Sequence, residues 1–150
     1  MVTRAVVLDT GPLGQITHPK STPPNVACAQ WFQALIAKGV RVVVPEIVDY
    51  ELRRELVRSN KTQGLMRLNN LITQGAEYCP ITTLAMREAA KFWAQARQQG
   101  QPTAGDNTID CDMILVAQAV TLNEPSFVIA TTNVKHLSRF VPADLWQNIT

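Results

Sequence analysis

Short runs of β-branched and aliphatic residues alternate with longer segments of helical periodicity, and this alternation constrains the fold more than any other feature. Ala5-Val6-Val7-Leu8, Val42-Val43-Val44 and Phe127-Val128-Ile129-Ala130 are apolar at every position and too short for helices. Strands apolar on both faces belong in a parallel sheet covered on both sides, with helices as the crossovers. The expectation is an α/β fold, a parallel sheet wrapped on both faces by helices. The pattern leaves the strand order open. A length of 150 residues fits one domain spanning 1–150.

Between the strands, residues 10–12 (Thr-Gly-Pro) read as a turn, and residues 17–25 as a proline-rich loop. Asn25 is a candidate cap for a helix carrying Ala27, Trp31, Leu35 and Ile36, which stops near Gly39. Residues 46–59 and 61–74 give two more helices, with Val48, Leu52 and Leu56, then Leu65, Leu68, Leu71 and Ile72, facing inward. A strand is expected over 77–81, and a long helix over 83–99 with Leu84, Ala90 and Trp93 among its apolar positions. A loop over 100–107 leads to a helix over 108–122, and a short helical turn follows at 133–138. An edge strand is expected near Leu145-Trp146.

With 46% hydrophobic and 17% charged residues the chain can bury a core, which excludes a disordered segment. A net charge of +2 projects no strong basic field. A nucleic-acid partner would therefore have to be met by a local patch, and Arg53, Arg54, Arg58 and Lys61 are the densest. Cys28, Cys79 and Cys111 are odd in number and fit no zinc spacing, which suits a reducing cytoplasm. No apolar run reaches about 18 residues, so neither a signal peptide nor a membrane span is expected.

Four acids stand at the ends of apolar runs. Asp9 closes the first strand, Glu51 lies in the helix after the second, and Asp110 and Asp112 open the run Met113-Ile114-Leu115-Val116-Ala117. In an open α/β sheet the C-terminal strand ends share one crevice, where ligands bind. Carboxylates gathered there repel one another unless a hard divalent cation holds them. A metal-dependent site is therefore the expectation from the residues alone.

The same residues resemble PIN domains, in particular the VapC-type toxins of bacterial toxin–antitoxin modules. Val7-Leu8-Asp9-Thr10 is similar to their opening strand, and Tyr50-Glu51-Leu52 to their second acidic motif. The run from Asp112 to Ala119 resembles their acidic helix, and Val128 to Leu137 their last strand and turn. The resemblance implies a three-layer α/β/α sandwich with a central parallel sheet. It also implies an Mg2+- or Mn2+-dependent ribonuclease acting on RNA, often a homodimer inhibited by a small antitoxin protein. Asp9, Glu51 and Asp112 match the first three acids and would be the metal ligands. Thr10 and Thr131 or Thr132 would position water or phosphate, while Arg53, Arg54 or Lys135 would grip flanking phosphates.

The chain departs from the pattern at the fourth acid, whose usual places are Asn133 and His136 here. Either Asn133 contributes as a polar group near the ion, or Asp110 supplies an accessory carboxylate from a non-helical cap position. His136 reads as a structural or substrate-contact residue, because a metal-supplied hydroxide leaves no need for a general base. The alternative is a PIN-fold module, weak or inactive in catalysis, that binds RNA or protein.

Overall fold

The computed structural model describes residues 2–100 and 110–150. Five parallel strands form one sheet in the order β3-β2-β1-β4-β5. They are β1 (Ala5–Leu8), β2 (Arg41–Pro45), β3 (Glu77–Cys79), β4 (Phe127–Ala130) and β5 (Ala143–Asp144). Val6 pairs with Val42 on one side and Val128 on the other, so the three apolar runs lie side by side at the centre. Every residue of β1 is buried, as a strand covered on both faces requires.

The helices are α1 (Thr10–Thr17), α2 (Pro23–Ala37), α3 (Glu46–Arg58), α4 (Thr62–Asn70), α5 (Thr83–Gln98), α6 (Cys111–Val120) and α7 (Val134–Leu137). The strand order steps from β1 to β2 to β3, then doubles back to β4. With right-handed crossovers this reversal puts α1 to α4 on one face and the α5–α6 pair on the other. The expected α/β/α sandwich is observed, and it leaves the strands' C-terminal ends open beside β1.

Several local expectations are corrected. Residues 10–17 form α1 rather than a turn. The Asp9 carboxylate accepts the Thr10 N–H as an N-cap, and Pro12 sits in the first turn, where no backbone donor is required. Gly11 permits that helix to start close to β4, because a Cβ there would lie 3.1 Å from Thr132 Cγ2. α2 begins at Pro23 and Pro24, not after Asn25, since proline suits the first helical positions. Its buried face is Cys28, Phe32 and Leu35, with Ala27 exposed.

In α5 the inward residues are Ala85, Ala89 and Ala96, while Leu84 is exposed. Small side chains on that face let α5 pack closely on α6. α4 gives way at Leu71–Gln74 to a 3₁₀ turn, closed by Gly75 at φ 111°. The third strand stops at Cys79 because Pro80 has no N–H to offer. The edge strand falls at Ala143–Asp144, two residues before its expected place, and Trp146 instead packs on Trp31 with ring centroids 5.6 Å apart. The expected loop at 100–107 and the expected helix start at 108 lie, beyond Gly100, outside the described residues. No helix among the described residues is long and apolar enough to cross a membrane.

α6 is apolar almost all round and buried from Met113 to Ala119. The one polar side chain in that stretch, Gln118, is 2% exposed and fully used. Its Oε1 accepts the Ile47 N–H at 3.1 Å, and its Nε2 donates to the Cys79 carbonyl at 2.8 Å. Pro45 supplies no side-chain cap to α3, so Gln118 serves a donor that would otherwise be orphaned. Gln118→Leu should cost roughly 1–3 kcal/mol for each group left unpaired, read as a lower midpoint in urea unfolding. A midpoint unchanged from the parent chain would refute this role.

Candidate metal centre

Asp9 follows β1 directly, and both of its carboxylate oxygens are held. Oδ1 accepts the Thr10 N–H at 2.7 Å and Oδ2 accepts the Thr131 hydroxyl at 2.7 Å. Thr131, at the end of β4, is 1% exposed, and its Oγ1 also accepts the Asn133 N–H at 2.9 Å. A hydroxyl that accepts from Asn133 must point its single proton at Asp9. The strand ends of β1 and β4 therefore set the Asp9 carboxylate from two sides.

Glu51, in the second turn of α3, and Asp112, in the first turn of α6, complete the group. Burial pushes the Glu51 carboxyl above its usual range, and the charges of Asp9 and then Asp112 push it further. Arg54 and a hydrogen bond from Thr10 oppose that shift. Asp112 is likewise raised, first by burial and then by Asp9, with His136 opposing and Asp110 adding. Three carboxylates from three distant segments thus feel one another at a single edge of the sheet. Like charges resist closer approach. Among the described residues, no three His, Cys, Asp or Glu side chains come near enough to enclose an ion.

That spacing is compatible with magnesium or manganese. Magnesium keeps several waters and takes only one or two protein carboxylates. A buried donor nearby also lacks a hydrogen-bond partner: His136 Nε2, 3.3 Å from Asp112 Oδ2 but not aligned to bond it. Hard oxygen donors beside an unsatisfied polar atom fit a hydrated divalent cation.

The remaining sequence candidates divide. Asp110 is the N-cap of α6, in extended backbone, with Oδ1 accepting the Met113 N–H at 3.2 Å. It does occupy the non-helical cap position, though one oxygen serves the helix. Asn133 is exposed and contributes its backbone N–H, while its side chain caps nothing. Arg54 lies 5.3 Å over the Tyr50 ring, on the Glu51 side. Lys135 is exposed on α7.

Arg53 is not brought to the acids. Its guanidinium makes a two-point pair with Asp49 at 2.9 and 3.0 Å and a third bond to Asn69 at 2.8 Å, which ties α3 to α4. Arg58 pairs with Glu55 at 2.7 Å, so the expected basic row is half neutralised. The Cys111 thiol, raised by burial and then by the Glu51 charge, is a poor nucleophile. Burial pushes Cys28 up to about 12, which makes it inert.

Sequence reasoning missed Arg139. It donates from Nε to the His136 carbonyl at 3.2 Å, and its Nη2 stands 2.9 Å from His136 Nδ1. The available signal was a basic pair three residues apart after a strand end, too common to single out. Arginine always donates, so Nδ1 accepts and the ring proton sits on Nε2, facing Asp112.

No family model matches the sequence, and no curated protein matches it. Solved structures do. The chain superposes on one from VapBC2 of Rickettsia felis, bound to a DNA fragment from its promoter, with a TM-score of 0.72 at 17% identity, covering 95% of this chain and 98% of that one. It matches one from DNA-bound VapBC of Salmonella typhimurium at TM-score 0.71 and 18% identity, covering 97% and 99%. A third, from VapBC-1 of nontypeable Haemophilus influenzae, gives 0.63 at 21% identity, covering 96% and 99%. At such identities the likeness defines the fold. That fold is the PIN-domain α/β/α fold.

Two outcomes follow. The raised carboxyls mean that the folded state keeps protons the unfolded chain has released. Metal-free stability should therefore fall as pH rises from about 4 through the raised values. Asp112→Asn removes one of the mutually repelling charges, so in chelator it should melt a few degrees higher than the parent at pH 7, with no gain below pH ~4. A lower melting temperature at pH 7 would show that the repulsion is unimportant. Asp110→Asn keeps a good cap and should leave stability within a few tenths of a kcal/mol. Metal affinity unchanged in that variant would remove Asp110 from the site.

Proposed function

We propose that the chain is a metal-dependent endoribonuclease of the PIN toxin type, hydrolysing RNA phosphodiester bonds. The observation that carries this is the convergence of Asp9, Glu51 and Asp112 at the C-terminal edge of the sheet, with the Asp9 carboxylate set by Thr10 and Thr131. These three acids would hold Mg2+ or Mn2+. Held there, such an ion would supply a bound water of lowered pKa and Lewis-acid charge for phosphodiester hydrolysis. Thr131 orients Asp9. Arg54 and Lys135 would hold flanking phosphates, a salt-sensitive contribution.

The partner reading is a small antitoxin, supported by the VapBC complexes among the structural neighbours. A mostly apolar groove of about 360 Å³, with Gly11, Gly14, Leu52, Leu56 and Gly64 in its wall and His18, Lys20 and Lys61 also lining it, suits an apolar partner segment. A homodimer is also part of the reading. Leu68 and Leu71 are buried and take no part in such a contact. Tyr50, Val57, Met66 and Ile72 are exposed large hydrophobic residues within 46–74. Free thiols at Cys28, Cys79 and Cys111 suit a cytoplasmic enzyme.

The test is cleavage of single-stranded RNA by the purified chain with manganese, beside Asp9→Asn. Cleavage should need the metal and should vanish in the variant. Equal activity in both would indicate a contaminant and favour the binding module. Manganese should also raise the melting temperature of the parent chain, by about 2.7 kcal/mol of added stability at a hundred times Kd. Thr131→Val, which leaves Asp9 Oδ2 unbonded, should lose about 10–100-fold in metal affinity. An affinity equal to the parent's would show that the hydroxyl does not set the ligand.

A further inference from the structure

The turn that follows β4 carries a second feature, opposite in sign to the acids and directly beside them. Asn133, Lys135, His136 and Arg139 line a cleft of about 380 Å³ that has no acidic residue in its wall. Its inner limit is the His136 ring, whose Nε2 faces Asp112 at 3.3 Å. Most other cations of known pairing are neutralised: Arg41 by Glu77, Arg53 by Asp49, Arg58 by Glu55 and Lys91 by Glu88. Among the described residues, neither Lys135 nor Arg139 has a carboxylate partner. Arg139 is nonetheless ordered, held by two contacts to His136 and lying 5.3 Å over the Phe140 ring.

Those contacts occupy Nε and one side of Nη2, so Nη1 stays available to an anion. An arginine fixed in this way loses little conformational entropy when it binds. The cleft thus offers a preorganised guanidinium, a free ammonium and an amide, within one short turn of carboxylates that suit a cation.

We propose that this cleft is a backbone-phosphate subsite, in which Lys135 and Arg139 grip a single-stranded RNA at the phosphate next to the one cut at the acids. The proposal rests on the ribonuclease reading for its choice of strand. The geometry itself asks only for a phosphodiester anion. His136 is the divider: its Nδ1 braces Arg139 and its Nε2 faces Asp112, so the anionic and cationic halves share one ring.

The experiment measures binding, independently of cleavage. A short fluorescein-labelled oligouridylate is titrated by anisotropy with the full chain and with a Lys135→Ala/Arg139→Ala double variant, in chelator, from about 50 to 200 mM salt. Each phosphate contact to a single strand contributes about 0.7 to the slope of log K against log salt. Both side chains hold one phosphate, so the double variant should bind more weakly, with a slope shallower by about 0.7. Both side chains are exposed, so its melting temperature should match the parent's, and a reduced slope without loss of fold supports the subsite. In manganese the variant should raise KM and keep kcat.

A slope equal to the parent's overturns the subsite, even if metal-dependent cleavage is intact and the ribonuclease reading stands. A reduced slope in a chain that never cleaves supports the subsite and sinks the ribonuclease reading. A kcat loss at unchanged KM and slope would also overturn it, since it would place these residues in the chemistry.

Discussion

The crowding of like charges at one edge of the sheet is the constraint around which this molecule is arranged. Asp9, Glu51 and Asp112 are partly withdrawn from water, and two of them are pushed toward protonation by that withdrawal and by one another. A fold that only had to be stable would avoid such a group, since an unpaired charge taken from water is costly. The protein instead spends specific bonds on it. The first N–H of α1 and the buried Thr131 hydroxyl both go to Asp9.

The sheet order makes this possible. β1 lies between β2 and β4, so the segments leaving all three strands emerge at neighbouring points. α1 leaves from Asp9, α3 brings Glu51 from the end of β2, and Thr131 leaves the end of β4. α6 reaches the same edge with Asp112, and is anchored there by Gln118 between the start of α3 and the end of β3. The apolar core and the charged edge are thus coupled through a single buried amide. The cationic turn at 133–139 then borders the acids, because β4 ends in both Thr131 and the turn that carries His136.

Much of this was legible in the chain. The three apolar runs pair in the centre of the sheet as their composition requires, and the acid positions follow from where those runs end. What misled were features that depend on phase or competition. Of the apolar positions of α5, Leu84 and Ala90 are exposed while Ala85 and Ala89 face inward, a choice that periodicity over a few apolar residues cannot resolve. Thr-Gly-Pro reads as a turn until Asp9 is seen to cap it. Arg53 stood beside Arg54 as an equal candidate, and only the position of Asp49 and Asn69 shows that it is already used.

By itself the sequence determined the three central strands and the class of fold, and marked the acids that follow or precede apolar runs, because those depend on local apolar patterning and on the short reach of a turn. Tertiary structure alone decided which of the polar groups meet. Thr131 rather than Thr132 faces Asp9, His136 lies against Asp112, and Arg139 closes on His136, across separations from three to over a hundred residues. The physical reason is that side-chain hydrogen bonds and charge contacts act over a few ångströms. Which groups come within that reach is settled by strand order and helix packing, neither of which is written in local composition.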